Sequence, residues 1–357
     1  MKHKFLQYLN IIGLICLLVL QHAIARAETD TTKPTLKQLV QARKQWTQQS
    51  LDGDVHASAK LGALYLSGSL GSPDYVKART YLKHGATVDL SSLLAYGHLL
   101  MHGLGGEMDT ATAEEYFKEA ASQDSMEGLY LHSKLVLSRK VTEVEITSAV
   151  KNIYQAAQKG FPPALATMGE FYRTGTFVNL DPAQAIEYYQ QAANGGYTEA
   201  LATIAEMYLF AELEEADIQQ AKVMYRQALS EGVKSASYSL AFLLYNQGFL
   251  DPDLLNEAFR TAEIAAYAWD ERCQYLLGLM YYEGKAIDQD MEKAYFWLDI
   301  AASAGVFESH HIRALATDSL TTEQIQSVKS RAKKWFNDNH DRPHKHIFID
   351  NAIHRYK

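Results

Sequence analysis

The sequence predicts an all-α protein: an α/α superhelical solenoid of about seven helix–turn–helix repeats, closed by a capping helix at each end. Three observations predict it. A small residue recurs at Gly62, Gly97, Gly169, Ala205, Ala241 and Gly278, with His132 filling the third place, at intervals of 35 to 37 residues. An alanine follows each of them, at Ala78, Ala113, Ala149, Ala185, Ala221, Ala258 and Ala294. Four residues before that alanine stands an acid in most copies: Asp74, Asp109, Glu145, Asp181, Asp217 and Asp290. The sixth copy has Leu254 there, with Asp253 one place early. A period this regular marks stacked helical hairpins.

The last copy, residues 277–305, shows why each copy folds as a hairpin. Leu277, Gly278 and Tyr281 share one helix face, because residues three and four apart point the same way. Gly284, free to take positive φ, stops that helix. Asp290 can cap the next through its side-chain oxygen. Ala294, Trp297, Leu298 and Ala301 then form an apolar stripe, and Gly305 closes the copy. One hairpin cannot bury its own stripe, so copies stack. A glycine inside a helix costs about 0.5–1 kcal/mol relative to alanine. A large side chain that the close approach buries returns about 1.5–3 kcal/mol. Tyr65, Tyr172, Tyr208 and Tyr281 fill the space beside the small residue, which makes the 22 tyrosines mostly core. In the third copy His132 holds the small-residue place and Ser138 the place of the turn glycine. Disturbed packing and a local bend are expected there.

These residues resemble the Sel1-like repeat family, a relative of the tetratricopeptide repeats. Its pattern is an early Ala, Leu-Gly-x-x-Tyr-x-x-Gly, Asp-x-x-Lys-Ala, an aromatic pair, and Ala-Ala ending in Gly. The last copy follows it nearly throughout, with Cys273 at the early alanine, and residues 164–196 follow it well. The resemblance covers residues 54–305. It implies a helical-repeat fold, no cofactor, and a scaffold for other proteins.

At the start of the chain, Lys2 and Lys4 precede an apolar run from Ile11 to Leu20 and the small-x-small triplet Ala25-Arg26-Ala27. That pattern predicts a secretory signal peptide, residues 1–27, cleaved after Ala27. The run is shorter than the ~20 residues a spanning helix needs, so no stable membrane anchor is expected after cleavage. A retained anchor is the rival reading. Residues 28–53 read as a polar linker followed by a capping helix bearing Leu36, Leu39, Val40 and Trp46. Repeats occupy residues 54–305. Residues 306–339 hold a second capping helix, opened by Thr321 and striped by Ile325, Val328, Ala332, Trp335 and Phe336. A polar tail, residues 340–357, follows, with an apolar island at Ile347 to Ile349.

The formal net charge is −8. Cleavage removes Lys2, Lys4 and Arg26 and no acid, leaving −11. So acidic a chain is a poor ligand for nucleic acid or anionic lipid. Cleavage also removes Cys16, so Cys273 has no partner for an intrachain disulfide.

No nucleophile elbow, His-Glu-x-x-His pair, phosphate-binding glycine loop or Cys-x-x-Cys occurs. The repeated acids fall at helix-cap positions, which accounts for them without catalysis. His340, Asp341, His344 and His346 lie close together, and imidazoles with a carboxylate suit zinc, copper or nickel. Pro343 argues against a helix there, so His340, His344 and His346 are weak metal candidates and a solvated tail is the plainer reading.

The functional expectation concerns the first helices. Positions two before, one after and four after the small residue make a stripe away from the hairpin contact. It reads Lys60, Ala63, Leu66; Ala95, His98, Met101; Tyr130, Ser133, Val136; Thr167, Glu170, Arg173; Thr203, Glu206, Leu209; Ser239, Phe242, Tyr245; and Leu276, Leu279, Tyr282. In related repeats first helices line a concave face. Its late, apolar part is therefore expected to bind a protein or peptide, with Glu170, Arg173 and Glu206 adding polar specificity. A phase error of one residue would instead place the stripe in the core. The resulting expectation is a non-catalytic scaffold of the bacterial envelope, periplasmic or secreted. The alternatives are an enzyme acting on cell-wall glycan or peptide, and a structural subunit of an export or secretion assembly. Two groove carboxylates with strongly raised pKa would favour the enzyme.

Overall fold

A computed structural model of the chain describes residues 34–340, apart from 211, 213–215, 249 and 250. The expected signal peptide, His344, His346 and the side chain of His340 lie outside the described residues. Seventeen helices and no strand occur among the described residues. A first helix, α1 (Leu36–Leu51), precedes seven hairpins. These are α2 (Val55–Ser67) with α3 (Tyr75–Gly85), α4 (Leu90–His102) with α5 (Thr110–Ser122), and α6 (Met126–Leu137) with α7 (Glu143–Gln158). Next come α8 (Pro162–Thr174) with α9 (Pro182–Asn194), α10 (Ala200–Leu209) with α11 (Ile218–Ser230), and α12 (Ala236–Gln247) with α13 (Pro252–Tyr267). The last hairpin is α14 (Glu271–Glu283) with α15 (Met291–Ser303), followed by α16 (Glu308–Thr317) and α17 (Thr322–His340).

The chain forms two compact units, residues 1–168 and 169–357, divided inside α8. In the first, α1 lies on α2, the first hairpin packs on the second, and the second packs on the third. In the second, the hairpins from α10 to α15 pack in the same serial way, and α16 and α17 both lie on α15. Neither unit forms a layered sheet structure; each core runs along the stack between neighbouring hairpins.

The small-residue column faces the large residue four places beyond the column alanine. A Cβ built on Gly62 would stand 2.5 Å from Leu82 Cγ, on Gly97 2.7 Å from the Phe117 ring, and on Gly278 2.7 Å from Leu298 Cγ. Leu82, Phe117 and Leu298 are wholly buried, so the missing side chain is what lets the hairpin close. The loop inside the hairpin is also repeated. The amide of Asp74, Asp109, Asp181, Asp217 or Asp290 donates to the carbonyl of Tyr65, Leu100, Tyr172, Tyr208 or Tyr281 at 2.9–3.0 Å. The same aspartate side chains accept amide hydrogens of the following helix, as caps.

Two copies depart, and both correct the sequence reading. In the third, Ser133 rather than His132 holds the small-residue place: Ser133 is fully buried, while His132 is half-buried beside Glu114. Gly128, five residues before Ser133, packs on Ala120 as the early small residue, and Ser125 caps the helix three residues before it. α6 runs as one helix through His132. The cap of α7 is Thr142, which accepts from the Glu145 amide while the Glu145 carboxylate accepts from the Thr142 amide and hydroxyl. Glu145 is thus the partner of the cap and not the cap. In the sixth copy Asp251, not Asp253 or Leu254, caps α13. α7 and α13 have 16 residues where α9, α11 and α15 have 13, so each begins about one turn early and shortens the loop before it.

The ends show one further difference. Thr321 and Gln324 cap α17 reciprocally, and Val328 and Ala332 are buried on its inner face. α16, however, has no counterpart in the sequence reading, which lost the period after Gly305. Its residues are few and polar (ESHHIRALAT), and only Ser309 and Ala316 are buried.

Candidate functional site

On an α-helix, positions three apart drift by about 60° from each other and positions four apart by about 40°. A stripe written as −2, +1, +4 about the small residue therefore holds only its middle member at the centre, and its outer members turn toward neighbours. In the first unit most of the stripe is buried, although Lys60 is exposed and Met101 half-buried. Ala63, Leu66, Ala95, His98, Tyr130, Ser133 and Val136 are all buried. They are core and not a groove floor; the third triplet is one residue out of phase, because Ser133 holds the small-residue place of its own hairpin. His98 Nε2 lies 3.0 Å from Glu127 Oε1, tying α4 to α6. The Tyr130 hydroxyl lies 3.0 Å from Thr167 Oγ1, whose own hydroxyl donates to the Pro163 carbonyl. Thr167 is thereby half-buried and fully engaged.

In the second unit the stripe stays at the surface. Thr203, Leu279 and Tyr282 are half-buried, and Glu206 and Phe242 are exposed. Leu276 and Tyr245 are the exceptions, both buried, and Tyr245 corrects the expectation of a binding role. The Tyr245 hydroxyl donates to Glu283 Oε2 at 2.7 Å. Burial and that bond push its phenol well above the usual range.

Phe242 is 40% exposed, and its ring lies parallel to Tyr238 with centroids 5.6 Å apart. The Arg272 guanidinium sits 4.5 Å from the Tyr238 ring, a cation–π contact that joins α12 to α14. Tyr275 and Leu279 continue the surface one turn along α14, both half-buried. The result is a shelf of aromatic faces held rigid from below, since Leu276, Leu277 and Met280 on the inner side of α14 are completely buried. Arg272, Tyr238 and Tyr275 escaped the sequence reading. The signal was available as the i, i+4 pairs Tyr238/Phe242 and Tyr275/Leu279, at −3 and +1 in their copies.

A polar cluster lies on the fourth and fifth first helices. Arg173 makes a two-pronged contact with Glu170, Nε to Oε2 at 2.9 Å and Nη2 to Oε1 at 3.0 Å, and reaches Glu212 at 3.1 Å. The Tyr189 hydroxyl donates to Glu170 Oε2 at 2.7 Å. Burial alone would raise the Glu170 carboxyl, but the hydrogen bonds from Arg173 and Tyr189 and the Arg173 charge hold it below the usual range. Glu206 differs. Desolvation by the flanking chain raises it, Arg173 and Arg272 oppose that, and Glu212 reinforces it. The two acids thus diverge, and the raised pair that glycoside hydrolysis would suggest is not formed by them.

Among the described residues no group of three or more His, Cys, Asp and Glu could hold a metal ion. Among them also, no helix is long and apolar enough to cross a membrane. Cys273 is buried, and burial pushes its thiol up, away from reactivity.

The model of the Sel1 repeat matches residues 55–86, 90–125, 162–197, 198–233 and 272–306. The two hairpins it passes over, α6–α7 and α12–α13, are those whose second helix starts a turn early. A comparison with curated proteins finds no match. Among solved structures, the chain is similar to a protective antigen present in uropathogenic Escherichia coli strains, which displays an SLR fold. The TM-score is 0.64 at 21% identity, over 83% of this chain and 63% of that one. The chain thus spans less than two thirds of that relative's length. A Sel1 repeat protein from Oxalobacter formigenes matches with a TM-score of 0.54 at 21% identity, covering 86% of this chain and 88% of that one. Both likenesses are of fold. Five matched repeats, with the same aspartate cap in each and the same glycine contact in four, make the chain a member of the Sel1 repeat family.

Proposed function

We propose that the chain is a non-catalytic scaffold of the bacterial cell envelope which holds a protein or peptide partner against the first-helix face of its second unit. Sel1 repeats generally mediate protein–protein interaction and typically serve as scaffolds without chemistry of their own. One observation carries the placement: Phe242 stands 40% exposed on a rigid aromatic shelf, where solvent contact alone would favour a polar residue. The Phe242 ring is stacked on Tyr238, which Arg272 in turn holds, so it loses little freedom on binding, which is what an interface anchor requires. Glu206, exposed at the edge of the shelf, supplies a polar contact. Glu170 does not supply a catalytic base, because Arg173 and Tyr189 already occupy both of its oxygens.

The test is crosslinked capture from envelope extracts by wild type, by Phe242→Ala, and by Val223→Ala on the exposed side of α11. A defined protein should be captured by wild type and by Val223→Ala, and at least tenfold less by Phe242→Ala at unchanged melting temperature. Equal capture by all three would refute the shelf as the docking site.

A further inference from the structure

The small residues that pace the stack continue past the last hairpin. Ala200, Ala236, Cys273 and Ser309 follow one another at intervals of 36, 37 and 36, and Ala205, Ala241, Gly278 and Ala314 at the same intervals. Ala200, Ala236, Cys273 and Ser309 are all buried, and α16 lies on α15 and α14 as α14 lies on α13 and α12. α16 is therefore an eighth first helix, and the first-helix face of the second unit runs on across it. One column of that face, the place after the small residue, reads Glu206, Phe242, Leu279 and Leu315. Phe242 and Leu315 are 40% and 38% exposed, and Leu279 is half-buried.

Helices that pack side by side, as α12 does on α14 and α14 on α16, stand about 8–10 Å apart. An extended strand presents the same side every second residue, at about 6.5–7 Å, and falls out of step with such a row. A polyproline-II helix presents it every third residue, at about 9.3 Å, and stays in step. Tyr238, stacked on Phe242, and Tyr275, one turn before Leu279, carry hydroxyls that no described residue takes up. A polyproline-II chain leaves its own carbonyls free to accept from them. Charge adds a second constraint. The charged groups acting on Glu206, Tyr238 and Tyr275 are Arg173, Glu212, Arg272, Glu283 and Glu308. Counting Glu206 itself and the ion-pair partners Glu170 and Lys285, five carboxylates face three cations. Arg173 is taken up by Glu170 and Glu212, which leaves Glu206 with no ion pair or hydrogen bond among the described residues.

We infer that the partner lays a polyproline-II segment across this face, with an apolar side chain at every third residue on Phe242, Leu279 and Leu315 and a lysine or arginine, one step further on, at Glu206. The inference rests on the docking site proposed above and names the chemistry of its occupant.

The probe is a labelled decapeptide with lysine first, leucine at the fourth, seventh and tenth places and proline elsewhere, titrated with the full chain by fluorescence anisotropy. Saturable binding is expected, about tenfold tighter than for a peptide of the same composition with its leucines at every second place. Leu315→Ala should weaken it about fivefold at unchanged melting temperature. Glu206→Gln should weaken it about threefold, and that loss should vanish when norleucine replaces the lysine. Absence of saturable binding, equal affinity for the two spacings, or indifference to Leu315→Ala overturns the inference. So does a Glu206→Gln loss that persists with the norleucine peptide. The decapeptide in excess should also displace the captured envelope partner. If it neither binds nor displaces while Phe242→Ala still lowers capture, the inference fails and the docking site stands. If Phe242→Ala leaves capture intact, the docking site fails and the inference falls with it.

Discussion

Ser133 shows how much one residue decides. Its side chain is fully buried at the contact between the two helices of its hairpin, and its hydroxyl has no hydrogen-bond partner among the described residues. Burying a hydroxyl unpaired is unfavourable, whereas a methyl of nearly the same size fits the same space. Ser133→Ala is therefore expected to raise stability, by up to about 1 kcal/mol. Ser133→His would put an imidazole where Gly62, Gly97 and Gly278 leave no room for even a Cβ, and should cost about 2 kcal/mol or more. His132→Ala, one residue away and half-buried, should change stability by less than about 0.5 kcal/mol. Urea unfolding of the three variants ranks them. If His132→Ala proves the most damaging, the register of the third copy is the one the sequence intervals suggested, and the structural assignment of Ser133 is wrong.

At the scale of the element, the helix caps explain both what was legible and what was not. Asp74, Asp109, Asp181, Asp217 and Asp290 could be read from sequence because their role is local: an oxygen three residues before an amide. Thr142 and Asp251 could not be read by counting back from the alanine, since α7 and α13 add a turn at their start and take it from the loop. α16 escaped because a ten-residue helix with two buried side chains has almost no periodic signal. The shelf was half-legible. Phe242 was found as the central member of its triplet, but Tyr245 lies 60° round the helix and is buried against Glu283, and Arg272 belongs to the next copy. The α8 cluster also makes a prediction about pH. Arg173 and Tyr189 hold Glu170 below its unfolded value, so its contribution to stability is full above about pH 4.3 and is lost as pH falls through the folded value. Glu170→Gln removes that dependence. Stability of the variant should fall less steeply than wild type between about pH 5 and pH 3. Parallel pH profiles from chemical unfolding would mean that Glu170 is not held by its partners in solution.

The whole molecule poses the question of where such a surface would be used. With residues 1–27 the chain bears −8, and without them −11, a charge that repels phosphate backbones and anionic lipid. Cleavage after Ala27 would also remove Cys16 and leave Cys273, buried on α14, with no thiol partner in an oxidising compartment. Stability then comes entirely from hairpin packing, which works equally well in either redox environment. These properties fit export, and export has a sharp signature. When the chain is produced with its own leader in a Gram-negative host, the accumulated protein should begin at Glu28 and leave the cells on osmotic shock. Mass spectrometry of the released fraction measures both at once. An intact chain that stays with the inner membrane would show the apolar run from Ile11 to Leu20 acting as an anchor. The shelf would then face its partner from a membrane-tethered scaffold rather than a free one.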